Sequence, residues 1–496
     1  MLFPSTAAHR QPLTNLFVLL AFLALCLSAQ GQVALTQISS DPFTNTDSFH
    51  ATEVEAATSF NGNTIVSAFQ MGRYFSNGGS SDNGFATSTD GGVTWTTGSL
   101  PGVTVLSGGT VPRASDPAVA YDAKHNVWLV ANLEVYPLGQ ASQPMLVSRS
   151  TDGGLTWNNP ISFGPTYPKP DKTWISCDSN ASSPHYGNCY AEWDDNGSGD
   201  IVYFAVSTDG GVTFANPVQP AGGPADFGMQ ALSQPSGKVI AAGADAFDSN
   251  IVAVTSNDGG ATFTANVHVS NITFHHADGG LRDLVLPTSA VDAGGKVYTV
   301  WQDCRFISGC GGNTLVMSTT SDGVTWSAVT RIPIGFKGAH NDVFLPGLAI
   351  APGTSGSHAH LGLTYYFYPD RTCGVATCQL EEGYVSSHDG GATWSPETTI
   401  AGAMNVKWFP NTTQGFMPGD YESLAFVNGK AIPVLAVAQS RGNGDPFNVS
   451  MNVPSSPLVD LPDTFSAVGE IPVPNAHSDR PARTTPVCDS CNGEYD

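Results

Sequence analysis

Short apolar runs, rich in Val, Ile, Phe and Tyr, recur along the chain and are cut off by glycine-bearing turns. They include Gly84-Phe85-Ala86-Thr87, Met145-Leu146-Val147, Ile201-Val202-Tyr203-Phe204, Ile251-Val252-Ala253-Val254, Thr314-Leu315-Val316-Met317 and Gly383-Tyr384-Val385. Runs this short, bounded by turn residues, read as strands. No amphipathic helical stretch of useful length interrupts them. Each run leads into nearly the same eight residues: Ser88-Thr89-Asp90-Gly91-Gly92-Val93-Thr94-Trp95, then Ser150 to Trp157, Ser207 to Phe214, Ser256 to Phe263, Thr320 to Trp326 (one glycine short) and Ser387 to Trp394. An element that returns about every 50–70 residues marks a repeat architecture, one supersecondary unit per repeat.

The repeated segment has the chemistry of a tight turn. Asp bonds the backbone two residues on, and the glycines supply positive φ without steric cost. The closing aromatic (Trp95, Trp157, Phe214, Phe263, Trp326, Trp394) offers a large apolar surface to bury. Asp90, Asp152, Asp209, Asp258, Asp322 and Asp389 are therefore expected to be structural. These residues resemble the Asp-box of the bacterial neuraminidase repeat, S-x-D-x-G-x-T-W, found on the outer hairpins of β-propeller blades in sialidases. The resemblance implies an all-β propeller over most of the chain. It implies activity less directly, because the box also occurs in propellers that hydrolyse nothing, and fold does not fix function.

Between the boxes lie two-strand units near Glu53–Gln70, Asp116–Glu134, Asp171–Trp193, Phe227–Ala244, Pro287–Gln302, Pro346–Tyr368 and Glu422–Gln439. These inner hairpins predict a propeller of seven four-stranded blades, with six blades plus an appended hairpin as the alternative. The last blade runs short after Pro446 to Met451, and Val33 to Ile38 is expected to supply its outermost strand, since closing the ring removes exposed sheet edges. Residues 1–31 read as a secretory signal, with an apolar run from Leu16 to Leu27 too short to span a bilayer. The propeller is expected over 32–453, followed by a flexible Pro-rich tail over 454–496.

Composition narrows the function. The net charge of −23 lacks the basic footprint that nucleic acid requires, and it disfavours anionic membrane surfaces. No later stretch is long enough for a membrane span, so a secreted monomer, extracellular or periplasmic, is expected. The cysteines beyond the signal fall in close pairs: Cys177 with Cys189, Cys304 with Cys310, Cys373 with Cys378 and Cys488 with Cys491. Local pairing in an exported chain favours disulfides.

Charge gathers in the loops entering the inner hairpins and leaving their second strands, which in a propeller share one face. The entering loops carry Glu53, Arg113, Asp116, Asp171, Lys172, Asp226, Arg282, Asp283, His340, Asp342, Asp420, Tyr421 and Glu422. The leaving loops carry Arg73, Arg305, Arg371 and Arg441. No cofactor is required by this chemistry. A ring of acids can hold a structural Ca²⁺, with Glu53, Asp171, Asp283 and Asp342 as candidate ligands. Sialidases hold the substrate carboxylate with arginines and attack with a tyrosine, an exception to the two-carboxylate rule. The segment Tyr421-Glu422-Ser423-Leu424 looks like that tyrosine segment. The resemblance implies Tyr421 as nucleophile, Glu422 or Asp420 as its base, Asp116 as acid/base, and Arg73, Arg113, Arg282, Arg305, Arg371 and Arg441 as candidates for binding substrate. The family's first-blade arginine is missing from His50-Ala51-Thr52-Glu53-Val54-Glu55, and Arg331-Ile332-Pro333 falls on an outer strand. Tyr74, Trp174, Tyr365, Tyr366, Tyr368 and Trp408 are candidates for stacking on sugar rings. The expected function is a secreted sialidase-like propeller acting on extracellular glycans. The alternative is a non-catalytic glycan- or protein-binding propeller with a cation in its acidic channel.

Overall fold

The computed structural model describes residues 33–136, 143–334, 341–441 and 447–469. The expected signal, Cys488, Cys491, His340 and the chain beyond 469 lie outside the described residues. Within them the fold is an all-β propeller. Every expected inner hairpin pairs antiparallel, from Glu53–Asn61 with Thr64–Arg73 to Ser423–Val427 with Lys430–Ala438. Their first strands touch in cyclic order: Glu53–Asn61, Arg113–Asp122, Pro170–Cys177, Asp226–Ser233, Thr288–Val291, Asp342–Ile350, Ser423–Val427, and back to the first.

The expectation of seven separate four-stranded blades, or six, is corrected. Five sheets have four or more strands among the described residues. Two causes account for the difference. The strands around Ser80–Ser88 and Arg113–Asp122 are joined into one eight-stranded sheet by the pair Ser80 and Ala114, where the Ser80 hydroxyl donates to the Ala114 carbonyl at 2.8 Å. Gly79 permits this approach, since a Cβ there would lie 3.0 Å from Arg113 Cβ. The sheet of Pro170–Cys177, Cys189–Asp195 and Ile201–Ser207 stops at three strands. Beyond its third strand there are only isolated bridges, Phe204 to Val218 and Ile201 to Ala225, and Pro217 and Pro220 in this segment cannot donate to a ladder.

The repeated turns lock neighbouring sheets together. In the first, Asp90 Oδ1 accepts from the amides of Val93 (3.1 Å) and Thr94 (2.9 Å), Oδ2 accepts from the Thr94 hydroxyl (2.6 Å), and Ser88 Oγ accepts from the Gly92 amide (2.8 Å). The bonds to Thr94 hold the Asp90 carboxyl down at about 2. Equivalent bonds recur at Asp152, Asp209, Asp258, Asp322 and Asp389. A glycine of each turn presses its bare Cα on the preceding sheet. Gly154 faces Val66 and Thr87, Gly211 faces Leu129, Gly260 faces Tyr190 and Val206, Gly323 faces Ile240 and Thr255, and Gly391 faces Met317. Gly92 completes the circuit against Ile432 of the last sheet. The closing aromatics add stacking, Phe263 on Phe204 at 3.9 Å and Phe214 on Phe163 at 4.1 Å.

The ring closes where Leu35–Gln37 pairs with Val449–Pro454, Thr36 opposite Val453. Three of the expected disulfides form: Cys177–Cys189, Cys304–Cys310 and Cys373–Cys378. Such bonds persist in oxidising compartments. No described helix is long and apolar enough to cross a membrane. Residues 455–469, expected to begin a flexible tail, are instead strapped across the outside of three successive sheets. The Leu458 amide donates to Ala431, Phe465–Ser466 pairs with Thr393–Trp394, and Val468–Gly469 pairs with Thr330–Arg331.

Two neighbouring glycines separate backbone strain from packing. Gly153 and Gly154 both have positive φ, 88° and 83°, but a Cβ at 153 meets nothing nearer than 4.0 Å while one at 154 meets Val66 Cγ2 at 2.6 Å. Gly153→Ala should cost about 1 kcal/mol from strain alone, and Gly154→Ala about 1–3 kcal/mol more from overpacking. Guanidinium unfolding of both variants measures the difference; equal losses would refute the packing role.

Candidate functional site

A recurrent backbone irregularity aims side chains at the axis. In five of the first strands the register slips at the same place, and the residue there takes a left-handed conformation: Glu55 (φ 60°), Asp116 (39°), Lys172 (46°), Gly228 (62°) and Leu345 (52°). A bulge adds a residue and re-aims its neighbours. The four non-glycine residues carry a strain of order 1–3 kcal/mol each, which the surroundings must hold in place.

Two of these residues, Lys172 and Glu55, contact Asp420 near the far end of the chain, and Asp116 lies against Lys172. Lys172 Nζ donates to Asp420 Oδ2 at 2.7 Å, with Asp171 Oδ1 at 3.6 Å and Asp116 Oδ2 at 4.0 Å. Arg282 grips the same Asp420 with two donors, Nε at 2.7 Å and Nη2. The Asp420 amide donates to Glu55 Oε1 at 3.1 Å, and Gln70 links Glu55 to Ser115 and receives Arg73 at 3.2 Å. All these charged side chains are buried.

Burial and pairing push the acids apart in ionisation. Burial would raise Asp420, but Arg282 and Lys172 hold it well below the usual carboxylate range. Burial, with the charges of Asp420 and Asp116, pushes Glu55 up to about 8. Burial also raises Asp171, to about 6, against the pull of Lys172. Lys172 is itself disfavoured as a cation by burial, yet Asp171, Asp420 and Asp116 keep it charged.

Two cavities share Lys172 as a wall. One is lined by the half-buried aromatics Trp174 and Tyr421, by Met229 and Leu286, and by the polar groups of Thr173, Gln230 and Glu422. The other is acidic: Asp171, Asp194, Asp200 and Asp248 line it with Asn196. Burial pushes Asp248 up to about 6. Burial, reinforced by Asp171 and Asp200, raises Asp194 well above its ordinary range. The buried Asp194 Oδ1 has no hydrogen-bond partner.

The residues anticipated from sequence are only partly brought together. Asp116, Asp171, Asp420 and Arg282 join the axial network. Tyr421 lies beside it, edge-on to Trp174 at 5.5 Å, with its hydroxyl donating to the Pro117 carbonyl at 3.2 Å. Burial and the nearby Glu55 and Asp116 raise its phenol well above the ordinary value. Glu422 lines the aromatic cavity with it and faces Glu382, and burial raises Glu422 to about 8. The remaining arginines disperse. Arg73 bonds Gln70, Arg113 stacks over Tyr74 at 3.7 Å, Arg305 grips Asp303, Arg371 lies along Gly312, and Arg441 stacks over Phe447. Of the proposed cation ligands, Glu53 receives Ser39, Asp283 pairs with His276 and Asp342 with His275, so with Asp171 they form no common site. Tyr365, Tyr366 and Tyr368 are core residues, and Trp408 packs against the core. Sequence reasoning missed Glu55 as an axial residue and gave Lys172 no role. The shared bulge marks both, but its occupants have no residue type in common.

No protein-family model matches this chain, and no curated protein matches it. Solved structures similar in chain path include a protein of unknown function from Dyadobacter fermentans (15% identity, 71% of this chain and 99% of that one, TM-score 0.44). Others are a polysaccharide lyase of family PL25, an ulvan lyase (11% identity, 82% and 95%, TM-score 0.47), and the NanB sialidase of Streptococcus pneumoniae (14% identity, 87% and 72%, TM-score 0.42). Similarity at this level transfers no residue roles.

Two outcomes follow from the buried charges. Lys172→Met leaves Asp420 and its neighbours short of a cation in the interior and should cost about 3–5 kcal/mol in guanidinium unfolding. A loss below about 1 kcal/mol, the range of a solvated surface pair, would refute the network's role. Glu53, raised to about 8 by burial, favours the fold while protonated. Its contribution is complete below about 4.5 and disappears as pH rises through 8. The Tm of wild type should therefore fall from pH 5 to 8.5, and Glu53→Gln should flatten the decline; an unchanged slope in the variant would contradict the assignment.

Proposed function

We propose that this protein is an exported propeller that takes extracellular glycans at its axial face. The observation that carries the function is the pair of cavities back to back on Lys172, one aromatic and one acidic. Trp174 and Tyr421 offer faces and edges to sugar rings, while Thr173 and Gln230 offer hydrogen bonds, the usual division of labour in a ligand pocket. Acids of split ionisation fit glycosidic cleavage, in which one carboxyl donates a proton to the leaving oxygen and another stays ionised. Asp248 and Asp171, both at about 6 and both on the acidic cavity, are the proton donors, and the buried Asp420 anion holds Lys172 between the two cavities.

Sialidase-type exo-hydrolysis is the finer form of this reading, with Tyr421 as nucleophile and Asp116 as acid/base. It has less support, because Tyr421 is engaged with Pro117 and the arginines are spread. A panel of neutral, acidic and sialylated glycans tests both forms. Asp248→Asn should lower kcat about 10²–10⁴-fold, the range of a general acid, with KM little changed. Loss of turnover on sialosides in Tyr421→Phe would support the finer form. A protein that neither binds nor cleaves any glycan on the panel would overturn the proposal.

The second reading is a non-catalytic binder that holds Ca²⁺ in the acidic cavity, favoured by the unpartnered Asp194 Oδ1. Calcium should then raise Tm, and Asp194→Asn should abolish the rise; an unaltered Tm would dismiss it.

A further inference from the structure

We propose a second site, remote from the axis, that binds a transition metal of the zinc type and staples the C-terminal strap to the wheel. Three donor atoms converge there from three separate segments. His360 Nε2, just before Leu361–Tyr368, lies 2.8 Å from Asp460 Oδ2 on the strap. His388 Nε2, in the sixth repeated turn, lies 3.5 Å from the same oxygen. All three atoms lie within 4.8 Å of one another, and no other such group occurs among the described residues. Tetrahedral ligands about 2.0–2.1 Å from zinc are separated by roughly 3.4 Å, and the two Nε2–Oδ2 distances bracket that spacing. The rings already stack at 4.1 Å.

The surroundings orient these donors as metal sites do. Asp463 Oδ1 lies 3.2 Å from His388 Nδ1 and Oδ2 accepts the His388 amide at 2.7 Å. A proton on Nδ1 leaves Nε2 as a free ligand. The buried Tyr384 hydroxyl donates to Asp460 Oδ1 at 2.7 Å, which leaves Oδ2 to face the histidines. His360 Nε2 is buried and makes no hydrogen bond of good geometry despite its neighbour. Two imidazoles and a carboxylate suit zinc and its neighbours in the first transition row better than calcium. The turn itself carries the signal: position two is Thr89, Thr151, Thr208, Asn257 or Ser321 in the other copies, and histidine only here.

Zinc titrated into metal-free, untagged full chain tests the site, with bound metal measured after dialysis. We expect one equivalent per chain, a Tm rise of about 2 °C or more, and slower proteolysis between 455 and 469. His388→Ala, at an exposed side chain that need not disturb folding, should lose all three effects. Asp463→Asn should weaken zinc affinity about 10–100-fold. Cys488→Ser with Cys491→Ser should leave them intact. Failure to bind stoichiometric zinc, retention of zinc by His388→Ala, or loss confined to the cysteine variant would each overturn the proposal. A strap held only by protonated histidines would show itself as a metal-independent Tm that falls as pH rises.

Discussion

The structure depends on the close approach of a bare backbone to the neighbouring sheet at each repeated turn. Gly154 against Val66, Gly211 against Leu129 and Gly391 against Met317 are the same contact made around a circle, and Gly92 against Ile432 joins its two ends. The aspartate of each turn acts through this contact. By filling the loop amides it fixes the turn's shape, so the glycine arrives with its carbonyls and amides already satisfied. Packing of this kind has little slack, because interiors are as dense as crystals. The spacing between sheets is therefore set at the rim, and the axis inherits it.

At the axis the same rigidity allows an arrangement that would be costly elsewhere. Lys172, Arg282, Asp420, Asp116 and Asp171 lie buried together, their charges drawn from distant parts of the sequence. Removing such groups from water is unfavourable unless partners stand ready. The bulges at Glu55, Asp116 and Lys172 supply that readiness, since each is held in a backbone conformation that aims its side chain inward. The network thereby ties together strands from distant parts of the chain around the axis.

Much of the wheel was legible in the chain. Period, turn chemistry and the shortage of a last strand pointed to the hairpins and to closure by residues 33–38. The joining of the first two units was not legible, because it rests on one pair, Ser80 with Ala114, that no pattern announces. The three-stranded sheet could have been anticipated from Pro217 and Pro220. The site was legible as a face but not as a geometry. Asp420 and Glu422 flank the same tyrosine, yet one joins Arg282 and Lys172 while the other turns to Glu382. Adjacent residues diverge in this way as the chain enters the strand at Ser423, and charge content alone cannot say which goes inward.

Pairing Leu35–Gln37 with Val449–Pro454 has a consequence for biogenesis. Leu35–Gln37 must wait, unmatched, for a partner synthesised some four hundred positions later. Until then the final sheet has an open flank able to recruit strands from other molecules. Contacts this distant along the polypeptide also form slowly. A nascent copy is thus most vulnerable to clumping just before completion, and loss of residues 33–38 would make that vulnerability permanent.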